Sequence, residues 1–296
     1  MRPLAWVRAS QAVLFEAAIV PACVGTAAAV ASGASFNALY FGLILVSLVA
    51  IQAGANLLKG YYEAQDRTVP PSSSGSWIAF DSGAAVWLTK DPRSVLRVAW
   101  ACMVAGVLAG LALVILTQSL LLFGFGVAGF LLAWSYSSPP LKLSYRGIGE
   151  LSTFLAFGPI MTVGATVAFG PRGLLDSLLA SLILGFLAAA ISFTRYFPNE
   201  VEDRAKGKRT PVTILGTQRA TSVLVALWWS PISLALLWYS QDPRLLAALL
   251  PLPVLLVASA VMSGSRSYPR SLSVAIGLTV VAHLLAGLGL IIALLS

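Results

Sequence analysis

The chain has 296 residues, of which 58% are hydrophobic and only 10% are charged, and its formal net charge is +8. A soluble domain carries about 25% charged residues, so this chain has too few polar side chains to coat a water-facing surface. The same composition excludes a disordered chain, a coiled coil and a disulfide scaffold. The two cysteines, Cys23 and Cys102, lie in apolar runs and indicate small core residues rather than a redox pair.

Apolar stretches recur along the whole chain, and nine of them are long enough to cross a bilayer, which takes about 20 mostly apolar residues. They predict an all-α membrane protein with nine transmembrane helices. In chain order the predicted spans are 11–31, 38–58, 96–117, 119–136, 151–169, 174–194, 221–239, 245–263 and 273–295.

The basic residues fall almost entirely on one side of these spans. Of the 19 Lys and Arg residues, all except Arg172 and Arg244 lie before span 1 or in every second loop, which gives 17 on one side. Cytoplasmic loops are enriched in Lys and Arg. We therefore predict a multi-pass protein of the cell membrane with a cytoplasmic N-terminus. The basic excess indicates topology and contact with the lipid bilayer, not nucleic acid.

The three longest loops, 59–95, 137–150 and 195–220, share the predicted cytoplasmic side. Long polar loops on a rigid scaffold often carry function. Acidic residues collect there too, although acids contribute little to topology. The acids on that side are Glu63, Asp66, Asp81, Asp91, Glu150, Glu200, Glu202 and Asp203.

The first polar cluster follows span 2. Asn56, Glu63 and Asp66 are spaced by seven and three residues, which places them on one face of a continued helix. Oxygen ligands grouped in this way suit Mg2+, which prefers one or two carboxylates together with substrate phosphates. The alternative is a helix end at the headgroups whose acids are solvated.

The second cluster follows span 6. Asn199 and Asp203 are four residues apart and would share a helical face, and Lys206 and Lys208 follow them. The segment fits either a solvated helix tip or a set of metal ligands beside phosphate-binding cations.

The third segment ends span 4. Pro139 and Pro140 terminate the helix and stiffen the turn. Lys142 and Arg146 follow, and each taken alone could be an ordinary interface anchor.

Three strings in these segments resemble the UbiA superfamily of membrane prenyltransferases, most closely the branch that prenylates 1,4-dihydroxy-2-naphthoate for menaquinone. They are YSSPPLKLSYRGIGEL at 136–151 with FGP at 157–159, FPNEVEDRAKGKRT at 197–210, and NLLKGYYE at 56–63. The resemblance covers nearly the whole chain, and implies a single domain over residues 1–296 whose helices surround a central cavity.

The chain departs from the family pattern at several positions. Lys59 and Gly60 stand where the family usually has Asn-Asp, and Asn199 replaces the first Asp of the second motif. The other departures are Glu63 for an Asp, Arg195 for an Asn, and Asp66 displaced by about one residue. Asp203 alone keeps its family position plainly. We hypothesise that Lys59 supplies the positive charge that a second metal would have given.

The resemblance implies a Mg2+-dependent enzyme that transfers an isoprenyl group from a prenyl diphosphate to an aromatic acceptor. Its acceptor is expected to be 1,4-dihydroxy-2-naphthoate, which would also lose its carboxylate. The implied metal ligands are Asn56, Glu63, Asp66, Asn199 and Asp203. The implied diphosphate contacts are Arg67, Lys142, Arg146, Lys206 and Asn56. The implied catalytic residues are Asp203, Glu63, Asp66 and Tyr136, whose ring would face the carbocation.

Three alternatives remain open from the sequence. One keeps the fold and changes the acceptor to another lipid or quinone precursor. Another is a non-catalytic relative that binds prenyl lipids, which the Gly60 and Asn199 changes favour. The least favoured is a transporter, because ionisable groups inside the spans are few. They are Glu16, which either lines the acceptor pocket near Arg8 or is protonated against a neighbour, and His283, interpreted as an interhelical packing residue.

Overall fold

The computed structural model describes residues 3–65, 91–239, 243–264 and 269–296, and helices account for most of them. We number the helices in chain order. They are α1 (Pro3–Ala9), α2 (Glu16–Ala31), α3 (Ala38–Gln65), α4 (Pro92–Thr117), α5 (Leu120–Ser135), α6 (Gly149–Leu155), α7 (Met161–Val167), α8 (Leu174–Thr194), α9 (Glu200–Ala205), α10 (Pro211–Tyr239), α11 (Leu252–Gly264) and α12 (Pro269–Leu295).

Eight of the nine predicted spans coincide with helices of the described residues that are long and apolar enough to cross a membrane. The remaining span, 119–136, is the apolar helix α5 of 16 residues. At 1.5 Å per residue it covers about 24 Å, less than the roughly 30 Å hydrocarbon core. The protein is a multi-pass membrane protein, and the count of nine spans stays a prediction.

Several helices extend beyond the apolar stretches that predicted them. Helix α3 continues to Gln65, so that Glu63 lies within it, and α10 begins at Pro211 rather than at 221. Helix α4 begins at Pro92 because Asp91 caps it, accepting hydrogen bonds from the backbone N–H groups of Arg93 and Ser94 at 3.0 and 3.2 Å. The polar residues at these ends are helical because backbone hydrogen bonding continues after the apolar pattern stops.

The fifth predicted span is interrupted. A π-helical segment, Ala156–Ile160, lies between α6 and α7 and contains Pro159, which lacks a backbone donor. Gly158 in this segment is required by a close helix approach, because a Cβ there would lie 2.6 Å from the Ser181 carbonyl oxygen of α8. The segment therefore packs directly onto the α8 backbone.

Helix α2 is central to the bundle and contacts α3, α7, α8 and α12. Small residues allow these close approaches. At Gly25, a Cβ would lie 2.1 Å from the Thr162 carbonyl oxygen of α7. The hydroxyl of Thr166 donates to the Gly25 carbonyl oxygen at 2.8 Å. The α2–α7 contact is thus fixed by both backbone proximity and a buried hydrogen bond.

The two ends of the bundle differ in composition. At one end the segments 136–148 and 195–210 meet, where the Arg209 N–H donates to the Tyr145 carbonyl oxygen at 3.0 Å. We call this end the loop face. At the opposite end, Arg172 donates to the Gly33 carbonyl oxygen at 2.8 Å and Phe36 stacks on Phe169. Two of the three predicted functional segments are therefore in direct contact.

Glu16 at the start of α2 pairs with His283 of α12, whose Nδ1 lies 2.8 Å from Glu16 Oε2. His283 is fully buried, in agreement with its interpretation as an interhelical packing residue. The cavity described below is lined by Ala17 and not by Glu16. Of the two interpretations of Glu16, the structure favours contact with a neighbouring side chain, and that neighbour is His283.

Candidate functional site

A cavity of about 450 Å3 lies among α2, α3, α4, α5, the α6–α7 segment and α8. Most of its wall is apolar. The side chains that line it toward the loop face are polar: Gln52, Asn56, Lys59, Tyr136, Ser192 and Arg195. The cavity thus combines an apolar wall with one end that carries cationic and hydroxyl groups.

Several side chains in the wall formed by α4 and α5 are partly exposed. Leu111 of α4 and Phe123, Val127 and Leu131 of α5 line the cavity, and each remains between 39 and 50% exposed. These side chains therefore combine cavity-lining surface with exposed surface. In a bilayer, that surface would meet lipid chains.

Near the polar end, two carboxylates share one ammonium group. Lys208 Nζ lies 3.2 Å from Glu63 Oε1 and 3.5 Å from Asp203 Oδ1, and all three side chains are buried. The second oxygen of Asp203, Oδ2, is buried without a hydrogen-bond partner among the described residues. Because this oxygen retains its lone pairs, it can accept a further ligand.

Local backbone chemistry explains why Lys208 reaches Asp203. The short helix α9 ends in a Schellman motif, in which the Lys208 N–H donates to the Asp203 carbonyl oxygen at 2.9 Å. Gly207 supplies the left-handed residue that this motif requires, at φ +66. The turn from Asp203 to Lys208 therefore brings the lysine side chain back beside the Asp203 carboxylate.

Helix α10 begins immediately afterward and fixes Lys208 from its other side. Thr210 and Thr213 form a reciprocal cap, with the Thr213 N–H donating to Thr210 Oγ1 at 3.2 Å and the Thr210 N–H to Thr213 Oγ1 at 2.8 Å. Pro211 occupies the first helical position, where it is preorganised. The Thr213 hydroxyl also donates to the Lys208 carbonyl oxygen at 2.8 Å, which anchors the lysine backbone.

Burial and neighbouring charges act in opposite directions on the pKa values of Asp203 and Lys208. Burial raises the pKa of the Asp203 carboxyl above its ordinary value, although the Lys208 ammonium partly counteracts this. Burial would lower the pKa of Lys208, but the Glu63 and Asp203 carboxylates outweigh it and raise the pKa above its ordinary value. Lys208 is therefore charged throughout the physiological pH range.

Lys59 is the second buried lysine of the site. Its Nζ lies 5.6 Å from the centroid of the Tyr136 ring, and it lines the cavity while Lys208 does not. Lys208 faces two other aromatic rings, with its Nζ 5.1 Å from Tyr145 and 5.4 Å from Tyr196. The two lysines therefore flank the carboxylates from different sides, and Lys59 is the one exposed to the cavity.

A row of hydroxyl groups leads away from the cavity. The Tyr136 hydroxyl lies 3.1 Å from the Ser192 Oγ and 3.4 Å from the Tyr196 hydroxyl. Tyr136 and Ser192 line the cavity, so the row extends from the cavity to the buried Tyr196.

The remaining predicted site residues are distributed as follows. Asn56 lines the cavity and donates from Nδ2 to the Ser10 carbonyl oxygen at 2.9 Å, whereas Asn199 donates to the Arg195 carbonyl oxygen at 3.1 Å. Lys206 is half-buried and lies near enough to Glu63 for their charges to attract. Each amide thus uses an N–H donor in a backbone contact, which leaves its oxygen as a potential ligand.

Two of the predicted cations lie in the 136–148 loop. Lys142 Nζ is 5.0 Å from the Tyr145 ring centroid, and Arg146 is exposed and donates to the Pro140 carbonyl oxygen at 2.9 Å. Their assignment to the diphosphate stays a prediction. Asp66 and Arg67 lie outside the described residues, so their predicted roles also stay predictions.

Sequence reasoning missed several members of the site. The sequence pattern identifies Lys208 only as one of the cations that follow Asp203, and it indicates no role for Ser192, Tyr196 or Glu150. The Gly207-Lys208 pair directly after a short acidic helix was a usable signal, because Gly at that position predicts a Schellman motif. Ser192 and Tyr196 gave no such signal, because they come from an apolar span and its end.

The site offers few acidic ligands for a magnesium ion. Within the described ranges, no group of three or more His, Cys, Asp or Glu side chains is placed to hold a metal. One or two carboxylates with substrate phosphates are nevertheless the usual environment of Mg2+. Glu63 and Asp203, with the unpartnered Asp203 Oδ2, meet that requirement for a single ion.

Comparison with known proteins explains this arrangement. A family model described as the UbiA prenyltransferase family matches residues 18–275. The chain belongs to the UbiA prenyltransferase family. The resemblance inferred from the three motif strings is thereby confirmed, and the buried carboxylates of this UbiA protein lie on those strings.

Named relatives of this UbiA protein act on naphthoate-type compounds. It is 29% identical over 220 residues to a 2-carboxy-1,4-naphthoquinone phytyltransferase of Synechocystis, which covers 74% of this chain and 68% of that protein. It is 25% identical over 210 residues to a 1,4-dihydroxy-2-naphthoate octaprenyltransferase of Bacillus subtilis, covering 71% and 65%. These matches support the naphthoate branch at modest identity.

Solved structures share the fold at lower identity. A UbiA homologue from Aeropyrum pernix superposes with a TM-score of 0.70 at 16% identity, covering 93% of this chain and 97% of the other. A UbiA homologue from Archaeoglobus fulgidus bound to GPP and Mg2+ gives 0.64 at 15% identity, covering 97% and 99%. The all-helical fold is thus shared with these solved UbiA homologues.

Proposed function

We propose that this protein transfers an isoprenyl group from a prenyl diphosphate to an aromatic acceptor, and that the acceptor is 1,4-dihydroxy-2-naphthoate. The observation that carries the proposal is the Glu63–Lys208–Asp203 cluster close to the cationic end of an apolar cavity. A diphosphate needs cations and an isoprenyl chain needs a hydrocarbon wall, and this site offers both. The naphthoate acceptor is supported by the named relatives.

The diphosphate would lie at the loop-face end of the cavity. Lys59 and Arg195 line the cavity there, so both can contact phosphate oxygens directly. Lys142, Arg146, Lys206 and Arg67 remain proposed as further contacts. Charge builds on the diphosphate as the allylic C–O bond breaks, and fixed cations in a water-poor site stabilise it.

Glu63 and Asp203 would hold a Mg2+ ion, with the side-chain oxygens of Asn56, Asn199 and Asp66 as proposed additional ligands. When bound, the ion would neutralise part of the charge on the diphosphate leaving group. Lys59 occupies a position where the family motif usually has Asn, beside Gly60 in place of Asp. We propose that its ammonium supplies part of the positive charge that a second metal would provide.

Tyr136 would face the reacting carbon. Its ring lines the cavity next to Lys59, and a π-face stabilises a nearby cation. The isoprenyl chain would lie along the wall formed by α4 and α5, where partly exposed side chains would let a long chain extend toward lipid. The acceptor would then attack from the remaining polar edge, near Ser192 and Gln52.

The proposed orientation places the loop face in the cytoplasm, as the distribution of basic residues predicts. We further propose that residues 1–296 act as one domain. Its support is one core cluster that joins α2 and α8 to α10, α11 and α12, with Trp228 and Leu184 among its fully buried members. Helices beyond the cavity are thereby packed against those that line it.

The decisive experiment uses the purified full chain with labelled prenyl diphosphates of several lengths and a panel of acceptors. We expect Mg2+-dependent transfer to 1,4-dihydroxy-2-naphthoate and loss of one CO2 per transfer. Formation of a prenylated product from 4-hydroxybenzoate or a glycerol phosphate instead would identify a different acceptor for the same class of reaction. Absence of both transfer and diphosphate release would refute the enzyme assignment.

A non-catalytic prenyl-lipid-binding role is the second candidate. It is favoured by one specific observation, namely that both buried carboxylates already pair with Lys208 while Gly60 and Asn199 replace family aspartates. In that case the chain would bind a prenyl diphosphate without breaking it. Binding of intact prenyl diphosphate with no release of inorganic diphosphate would identify this role.

A further inference from the structure

The junction between α1 and α2 receives hydrogen bonds from the polar end of the cavity. Three side chains that line the cavity there donate to residues 10–14, namely Gln52, Asn56 and Arg195. Their acceptors are, in that order, the Leu14 carbonyl oxygen at 2.7 Å, the Ser10 carbonyl oxygen at 2.9 Å and the Gln11 side-chain oxygen at 3.1 Å. This short junction therefore holds cavity groups that come from α3 and from the end of α8.

Gln11 differs from the other two acceptors because it uses its side chain. It is 5% exposed and does not line the cavity. Its backbone is left-handed, with φ +54 and ψ +44, which is unfavourable for a residue that has a Cβ. Gly or Asn is the usual left-handed residue after a helix. Strain of this kind persists where surrounding contacts enforce it, and it is concentrated at functional sites.

Arg195, the residue that Gln11 contacts, has a reason to need such a partner. It directly follows the last residue of α8 and lines the cavity together with Lys59. The two side chains are near enough for their positive charges to repel. An arginine side chain also loses much rotamer freedom when it is fixed. A hydrogen bond from the guanidinium to a buried amide oxygen counteracts both effects.

We propose that Gln11 is a positioning residue that holds the Arg195 guanidinium at the polar end of the cavity for contact with the diphosphate. This inference rests on the proposed prenyl transfer, in which Arg195 contacts phosphate oxygens, and adds the residue that orients it. Gln11 acts through Arg195 and does not itself touch the substrate. Because its amide is uncharged, Arg195 keeps its full positive charge for the diphosphate, which a carboxylate partner would cancel.

Calorimetry with inorganic pyrophosphate tests this role on the purified full chain, in the presence of a chelator so that no metal contributes. Gln11→Gly removes the side chain and leaves the left-handed position to the residue that adopts it most readily. Loss of a hydrogen bond to a charged group should weaken pyrophosphate binding about tenfold. The unfolding midpoint should stay close to that of the unsubstituted chain, because relief of backbone strain offsets the lost contact.

Gln118→Gly is the matched control. Gln118 also has a left-handed backbone, at φ +52, and its Nε2 also donates to a backbone carbonyl oxygen, that of Ile115. It caps α4 at the opposite end of the bundle. The substitution should relieve the same strain and leave pyrophosphate binding unchanged. Gln11→Met, which keeps the side-chain length and removes the amide, should weaken binding as Gln11→Gly does.

A double substitution shows whether Gln11 acts through the guanidinium. Arg195→Met should weaken pyrophosphate binding at least as much as Gln11→Gly. The variant that carries both changes should bind as weakly as Arg195→Met alone, because residues that act through one contact have non-additive effects. A general structural role of Gln11 would instead add its own loss to that of Arg195→Met.

Two results would overturn the positioning role. One is unchanged pyrophosphate binding by both Gln11 variants. The other is additive losses in the double variant. An unsubstituted chain that binds neither pyrophosphate nor geranyl diphosphate would refute the proposed function itself, which distinguishes the two failures.

Discussion

Two contacts of the described carboxylates differ in their surroundings. In the Glu63–Lys208–Asp203 cluster, one ammonium serves two carboxylates beside the polar end of the cavity. In the Glu16–His283 pair, one carboxylate meets one ring between α2 and α12, away from the cavity lining. Both contain a buried carboxylate oxygen without a hydrogen-bond partner among the described residues, Asp203 Oδ2 and Glu16 Oε1, so such an oxygen alone does not identify a site. A shared counter-ion beside a cavity does, because a ligand can change the balance there.

The largest expected effect is that of Lys208→Met on stability. The substitution leaves Glu63 and Asp203 buried beside each other without their counter-ion, and breaking a buried pair costs about 3–5 kcal/mol. We expect a clear decrease in the thermal unfolding midpoint in detergent. Arg204→Met, which breaks the exposed pair with Glu200, is the control, and about 0–1 kcal/mol is expected there. If the two variants had equal midpoints, the buried cluster would be no more stabilising than the exposed Arg204–Glu200 pair.

Asp203→Asn should have the next largest effect, and on activity rather than on folding. It keeps the volume of the side chain but removes the carboxylate that carries the unpartnered oxygen, so transfer should fall roughly 10²–10³-fold. The unfolding midpoint should stay close to that of the unsubstituted chain. Asp176→Asn, at the start of α8 on the opposite end, is the matched control. Full activity of Asp203→Asn would disprove its assignment to the metal.

His283→Leu tests the Glu16–His283 pair. Glu16 loses its partner, and leaving a buried polar group unsatisfied costs about 1–3 kcal/mol. We expect a lower unfolding midpoint but unchanged transfer per folded molecule, because this pair does not line the cavity. Leu284→Ala, at the neighbouring exposed position, is the control. A loss of transfer that exceeds the loss of folded protein would show that the pair takes part in function.

Lys59→Met should have the smallest effect, and on binding. If the Lys59 ammonium replaces part of a second metal, its removal should weaken binding of inorganic pyrophosphate about tenfold, equivalent to about 1.4 kcal/mol. Calorimetry with and without a chelator measures this, with Arg172→Met as a control at the opposite end. The difference should persist in the presence of the chelator. Unchanged affinity would refute the role of Lys59.

Much of the site was accessible from sequence because its residues lie on short strings. Asn56 and Glu63 are indeed on one continuous helix, and the second motif does place Asp203 on a helix followed by cations. Contacts between residues of different motif strings could not be predicted from the sequence. Lys208 reaches Glu63 over a separation of 145 residues, and no local pattern indicates which of several nearby lysines makes that contact.

Composition and periodicity by themselves determined that this chain is helical and membrane-embedded, because an apolar helix satisfies its own backbone within lipid. The motif strings determined the family. The tertiary structure alone decided which charges are buried together and which hydroxyls meet beside the cavity. Those contacts depend on close approaches such as Gly158 against α8 and Gly149 against Tyr196, and packing distances of this kind are set by the whole bundle rather than by any one segment.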